Sequence, residues 1–407
     1  MIMHRSNPRW LVCAVALATL AGCTGSTTPE VGGDPAAATT AATATTTTGA
    51  SARAVLTTEQ LPFPAPSTAA LPAARQQALQ AALDGAIKNS AQLVGVTAAV
   101  VSASGAWTGA AGVDGANVRL VPEAMMDIAS ISKTVTAAEV VSLEQSRLID
   151  LDALASTYLD HPLLQRSPTV RQLLSHTSGI PDYVTPTLMD AVTGDPNSSW
   201  TATQALSYAT DPVGDPGSPV MTYSNSNYLL LGLLIEKVTG LRFNEAVRRD
   251  LFTGLGPRMV VQDAEPPVPP LAAPGHSPEG LPDAKPDGTF LPDRAVASAA
   301  GAAGGIAADA ATLARWGYQL YGGQILPPSR TVELATEVAP GYGLGTEIIE
   351  QPWGPRGGMV GHHGGINGYT TVLTVIPAQQ VSVAVLGVGP GGPIDLIAQE
   401  LASALRG

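Results

Sequence analysis

The sequence predicts an α+β fold: an antiparallel sheet flanked by N- and C-terminal helices, with an all-helical subdomain inserted at roughly residues 126–295. Three observations carry this expectation. β-rich runs occur near the start of the foldable region and again near its end. A long stretch between them has helical apolar spacing. Amphipathic helices stand at both extremes.

Residues 1–22 read as a secretory signal. His4, Arg5 and Arg9 make a positive n-region, and residues 10–20 make an apolar core too short to span a bilayer. The run Leu20-Ala21-Gly22-Cys23 resembles a bacterial lipobox, which implies cleavage before Cys23 and lipidation of that residue. Cys13 leaves with the signal, so the mature chain has no thiol for a disulfide, a metal site or a thiol nucleophile. Residues 23–70 are rich in Thr, Ala and Pro and are expected to be a flexible tether.

The folded domain is expected over residues 71–407. Residues 73–89 place Leu79, Leu83 and Ile87 four apart, the spacing of a helix face. Residues 94–101 and 106–113 form a hairpin around Ser102-Ala103-Ser104-Gly105. Residues 131–255 are α-rich. Residues 265–292 are dense in Pro, Gly and Asp and predict a long surface loop. Strands are expected at 343–349, 359–362, 369–376 and 381–386, with a turn at 377–380, and a final helix at 394–405.

Composition excludes some functions. The net charge is −12 and no basic patch is present, which argues against nucleic acid and against electrostatic docking on anionic lipid. The six histidines form no cluster with ligand spacing, and adjacent histidines on a strand point to opposite faces. No metal and no cofactor is expected.

Four motifs carry chemistry. Ser130-Ile131-Ser132-Lys133 puts a hydroxyl and one of only four lysines on one helix face. The helix that follows is apolar on most sides, and burial lowers a lysine pKa toward the neutral amine that a base requires. Ser130 as a helix N-cap is the alternative. Leu174-Ser175-His176-Thr177-Ser178-Gly179 reads as a helix end closed by glycine, with His176 structural. In Tyr223-Ser224-Asn225, either Ser224 or Asn225 caps the next helix, or Tyr223 is a general base and Asn225 bonds a substrate amide. Gly361-His362-His363-Gly364-Gly365 lies in a strand whose glycines permit close backbone approach.

Taken in order, Ser-x-x-Lys, Tyr-x-Asn and His-x-Gly resemble the serine β-lactamase and penicillin-binding enzyme superfamily. The branch resembled holds class C β-lactamases, D-alanyl-D-alanine carboxypeptidases and β-lactamase-like esterases. The Ser-His-Thr-Ser-Gly run and Ala303-Gly304-Gly305-Ile306 are similar to that branch, and coverage runs from about Leu71 to the C-terminus. The resemblance implies a β-lactamase/transpeptidase-like fold, with Ser130 the acylated nucleophile, Lys133 its proton partner and Tyr223 a base. It implies that Asn225 binds the substrate carbonyl and that His362 replaces a lysine. Gly364 and Gly365 would line the substrate, with the N–H groups of Ser130 and Gly365 as the oxyanion hole. His363 and Gly365 stand where relatives often carry hydroxyls that hold a substrate carboxylate. Arg356 is a nearby source of charge.

The expected protein is therefore an exported, membrane-held serine hydrolase attached only through its N-terminal lipid. Its substrate would be an ester or a peptidoglycan-type amide, with esters preferred over lactams. A carboxypeptidase or a β-lactamase is the alternative among enzymes. A catalytically idle cell-wall binder is the alternative outside them.

Overall fold

The structure, a computed structural model, describes residues 55–218, 220–265, 270–275, 294–349, 358–366, 368–389 and 391–405. The predicted signal, Cys23, the tether as far as residue 54, Arg356 and most of the 265–292 segment lie outside the described residues.

In chain order the regular elements begin with α1 (Ala73–Asn89), β1 (Gly95–Ser102), β2 (Ala106–Gly112) and β3 (Met125–Asp127). A 3-10 turn at Ala129–Ile131 leads into α2 (Ser132–Gln145). Next come α3 (Val170–Leu174), α4 (Pro186–Gly194), α5 (Ala202–Leu206), α6 (Asn225–Thr239), α7 (Phe243–Asp250) and β4 (Met259–Val261). They are followed by α8 (Arg294–Gly304), β5 (Ile306–Asp309), α9 (Ala310–Tyr321) and α10 (Pro328–Leu334). The chain closes with β6 (Glu347–Ile349), β7 (Met359–Ile366), β8 (Tyr369–Ile376), β9 (Val381–Val388) and α11 (Ile394–Ala404).

The main sheet is antiparallel, in the order β2-β1-β9-β8-β7-β6, so strands from both ends of the chain make one layer. β1 pairs with β9 from Gly95↔Val388 to Ser102↔Val381. Alternation divides β9 between two cores. Ala384, Leu386 and Val388 face α9 and the inserted helices, while Val381, Val383 and Val385 face α1 and α11. Every residue of β1 is buried, as its central position between β2 and β9 requires.

The structure departs from the sequence expectations in the insertion, in the tether and in the surface loop. The insertion is not purely helical, because β3, β5 and β4 form a second, three-stranded sheet. The expected tether is also too long, since its end at residues 55–70 lies on the body. Leu56 and Phe63 are buried there, Phe63 N–H donates to Gly322 O at 2.8 Å, and the Phe63 ring meets Tyr318 edge-on. A few apolar anchors within a proline-rich composition are enough to hold the segment down. Finally, the described part of the expected surface loop is not free of the body. Ala272 N–H donates to Met125 O at 3.0 Å and Ala273 N–H to Asp114 Oδ2 at 3.0 Å.

Candidate active site

Ser130 sits in the 3-10 turn between β3 and α2. The turn is held from behind. The buried Asp127 carboxylate accepts Ala129 N–H at 2.6 Å and Gln262 Nε2–H at 2.7 Å. Burial pushes the Asp127 carboxyl up to about 7. Ala129 has φ +49°, the left-handed region, which presents Ser130 at the surface of the turn. Ser130 makes no side-chain cap on α2, so it is free of the capping alternative.

Lys133 lies one turn on and is fully buried. Its Nζ is 3.0 Å from Ser130 Oγ, 2.8 Å from Asn225 Oδ1 and 2.8 Å from Ala303 O. Burial lowers its pKa to about 7, although the charges of Asp182 and Glu347 act the other way. Two of its three partners are carbonyl oxygens, which only accept. A neutral amine must donate its two protons to them, so its lone pair faces the third partner, the Ser130 hydroxyl.

Asn225 opens α6, and Asp182 fixes its orientation. Asp182 Oδ2 accepts from Asn225 Nδ2 at 2.8 Å, and Asp182 Oδ1 accepts from the Asn225 backbone N–H at 3.2 Å. The amide oxygen is thereby turned to Lys133, and one Nδ2 proton remains for a ligand.

Tyr223 stacks on His176 at 4.2 Å, and Lys133 Nζ stands 5.0 Å from the Tyr223 ring centre. Burial raises its pKa well above the phenol value, and a hydrogen bond with Ser130 only partly offsets this, so Tyr223 rests as the neutral phenol. His176 has the structural part its motif suggests. Its Nδ1 accepts Ser224 N–H at 3.1 Å and its backbone carbonyl accepts Thr222 N–H at 3.0 Å, which clamps the Tyr223 segment. Burial holds His176 neutral.

His362 and His363 point to opposite faces of β7. His362 Nδ1 is 2.6 Å from a carbonyl oxygen, its neighbour's, and must therefore donate. Its Nε2 then accepts the Tyr342 hydroxyl at 2.9 Å. Burial lowers the His362 pKa, which matches this neutral tautomer. His363 lies between Glu347 and Asp395, with Nε2 2.6 Å from Asp395 Oδ1. Burial acts against its charge, but hydrogen bonds to the two carboxylates win and raise its pKa to about 10. His363 is therefore committed to an ion cluster beside α11. Among the described residues no group of three or more His, Cys, Asp and Glu is placed to hold a metal ion.

β7 passes close to the nucleophile turn because Gly364 has no side chain. A Cβ there would stand 2.3 Å from Ile128 O and 3.1 Å from Ala129 Cβ. A Cβ on Gly365 would meet open space. Beside Ser130 lies a cavity of about 160 Å³ lined by Ser130, Asn225, Gly365, Ile366 and apolar side chains from α4 and α8.

The structure thus brings Ser130, Lys133, Tyr223, Asn225, His362, Gly364 and Gly365 to one place. The sequence reading missed Asp127, Asp182, Tyr342 and Glu347. Tyr342 had a signal, its place in Gly341-Tyr342-Gly343-Leu344-Gly345. A Cβ on Gly345 would lie 2.9 Å from Lys133 O, so that loop fits against the start of α2 only as glycine.

A family model described as Beta-lactamase matches residues 73–402. The fold is similar to that of a D-amino acid amidase from Ochrobactrum anthropi SV3, at 24% identity and TM-score 0.70, over 82% of this chain and 98% of that one. It is also similar to a D-stereospecific amidohydrolase from Streptomyces sp., at 26% identity and TM-score 0.63, over 81% and 98%. Among curated proteins, Penicillin-binding protein 4 of Amycolatopsis lactamdurans is 29% identical over 152 residues, 35% of this chain and 37% of that protein. Protein flp of Staphylococcus aureus (strain MW2) is 32% identical over 140 residues, 32% of this chain and 26% of that protein. The chain therefore spans well under half the length of these curated relatives.

Proposed function

The chain belongs to the beta-lactamase family, and on that premise we propose that it is an exported, lipid-anchored serine hydrolase acting on an ester or a peptide-type amide through an acyl-enzyme on Ser130. The observation that carries this reading is the hydrogen-bond inventory of Lys133. Asn225 Oδ1 and Ala303 O take its protons, and the amine lone pair is left for Ser130.

Acylation follows from that arrangement. Ser130 Oγ bonds to the substrate carbonyl carbon as its proton passes to Lys133 Nζ. The oxyanion is met by the N–H groups of Ser130 and Gly365, each such donor typically contributing about 3 kcal/mol to the barrier. The bond from carbonyl carbon to leaving group then breaks. The leaving group takes the Lys133 proton through the Tyr223 hydroxyl, whose neutral state suits it to pass a proton on. Water next attacks the acyl carbon and gives a proton to Lys133. Ser130 departs with that proton as the free acid is released.

Substrate choice rests on what flanks the nucleophile. His363 is bound to Glu347 and Asp395, and Gly365 has no side chain, so among the described residues neither offers a group to a substrate carboxylate. This favours neutral esters and amides over penicillin-like lactams and D-alanyl-D-alanine peptides. Likeness to an amidase and a D-stereospecific amidohydrolase supports D-amino acid amides as a second substrate class.

The test is a panel of nitrophenyl esters, D- and L-amino acid amides and a chromogenic cephalosporin, with Ser130→Ala as background. Mass spectrometry of the trapped intermediate should locate the acyl group on Ser130, and an adduct on another serine overturns the mechanism. Export and anchoring are tested separately. Cys23→Ala should release the protein from membranes or leave it uncleaved, and unchanged membrane association refutes the anchor.

A further inference from the structure

The cavity beside Ser130 has one wall from α4 (Leu188, Met189, Val192) and another from α8 (Val296, Ala300), and none of its lining side chains is charged. Tyr183, the polar-tipped member, has spent its hydroxyl on Ala299 O at 2.7 Å. Nothing in this wall rewards a charged or strongly polar group, so an apolar one fits it.

The cavity also has a direction. Ser130, Asn225 and Gly365 border it, whereas Tyr223 and His362 do not. The proton donor to a leaving group must stand beside that leaving group. Tyr223 is hydrogen-bonded with Ser130 and lies outside the cavity lining, so it fills that place and a group seated in the cavity belongs to the acyl half of the substrate. Its size follows from its volume, because an apolar cavity of about 150 Å³ takes a benzene ring.

We infer that the acyl half of the substrate carries an apolar group of about six carbons, phenyl or branched alkyl, seated between α4 and α8, with Ala300 setting its length. This rests on the proposed serine hydrolase reading and adds the substrate class to it. Ala300 is half-buried on the cavity wall, where a larger side chain would take up the space the acyl group needs.

The experiment compares nitrophenyl acetate, butyrate, hexanoate, octanoate and phenylacetate on the wild type, Ala300→Leu and Met189→Ala. Wild-type kcat/KM should rise about fourfold per methylene up to about six carbons and then level off. Ala300→Leu should cut the hexanoate-to-acetate ratio at least tenfold, and Met189→Ala should move the levelling point to longer chains. A flat wild-type profile, with turnover that Ser130→Ala abolishes, overturns the pocket assignment and leaves the hydrolase reading intact. If no substrate is turned over through Ser130, that reading fails, and the pocket is then judged by benzyl alcohol binding followed through the Met189 methyl resonance. Binding that Ala300→Leu abolishes supports the pocket, and no binding to the wild type overturns it.

Discussion

Asp182 decides which end of the Asn225 amide faces the reaction. Its carboxylate accepts from Asn225 Nδ2 at 2.8 Å, and only then can Asn225 Oδ1 accept from Lys133. Asp182→Ala frees the amide to rotate and removes a charge that raises the Lys133 pKa. Two effects are expected: a fall of about 10- to 100-fold in kcat/KM, and an acid limb of the pH–rate profile moved to lower pH. A variant with an unchanged acid limb and unchanged kcat/KM would show that Asp182 has no part in the site.

Lys133, with its pKa lowered to about 7, should set that acid limb in the wild type. A base works when unprotonated, so kcat/KM should rise as pH passes upward through about 7. Tyr223→Phe keeps the ring stacked on His176 and removes only the hydroxyl. It should lower kcat by about 10²- to 10⁴-fold while leaving the inflection where it was. An inflection that disappears with the Tyr223 hydroxyl would transfer the base role to the phenol.

Glu347 and His363 tie stability to pH. Burial alone would raise the Glu347 pKa, but the two histidines override it and hold the carboxyl down at about 2, below its ordinary value of 4.5. Its contribution is present above about 4.5 and is lost as pH falls through 2. His363 is raised from 6.5 to about 10, so its contribution is present below 6.5 and is lost as pH rises through 10. Both apply between about pH 4.5 and 6.5. The melting temperature of Glu347→Gln should therefore lie furthest below wild type in that window, with the gap narrowing on either side. A gap independent of pH would remove the ion cluster as its cause.

Gly364 and Gly365 are adjacent but should respond oppositely to a methyl group. A Cβ at Gly364 collides with Ile128 O and Thr371 Oγ1, each at 2.3 Å, whereas one at Gly365 meets nothing within 4 Å. Gly364→Ala should destabilise the fold by about 1–3 kcal/mol, and Gly365→Ala by less than about 0.5 kcal/mol. Denaturant unfolding of both variants measures this, and equal losses would mean that β7 does not press on the nucleophile turn.

These residues differ in how far the sequence exposed them. Ser130, Lys133, Tyr223 and Asn225 belong to short local patterns at helix starts, where spacing alone carries geometry. Asp182 and Glu347 act across long separations, Asp182 on Asn225 and Glu347 on the β7 histidines, and a lone acid in a loop or short strand has no period to betray it. Glycine explains the strand errors. The pattern ends a strand at His362 because Gly364 and Gly365 weaken strand propensity, yet β7 continues to Ile366, since close approach to Ile128 needs those glycines. Conversely, a strand expected from 343 begins only at Glu347, because Gly345, at φ +63°, turns the chain first. The small sheet was hidden by length. Its strands have three or four residues, all buried, so neither alternation nor span marks them.

The break in α8 at Gly301, with φ +43° and ψ −129°, divides that helix into two pieces, both bordering the cavity but only the second bonded to Lys133. Before the break, Val296 and Ala300 shape the cavity. After it, Ala302 O receives the Thr136 hydroxyl at 2.7 Å and Ala303 O receives Lys133 Nζ at 2.8 Å. Only the second piece bonds the amine, so substitutions in the first leave that acceptor, Ala303 O, in place. Ancestral drift or laboratory selection on that half would therefore retarget the enzyme while its proton-handling apparatus stays constant. A library confined to positions 296 and 300 is the smallest one that should yield new acyl preferences at undiminished turnover.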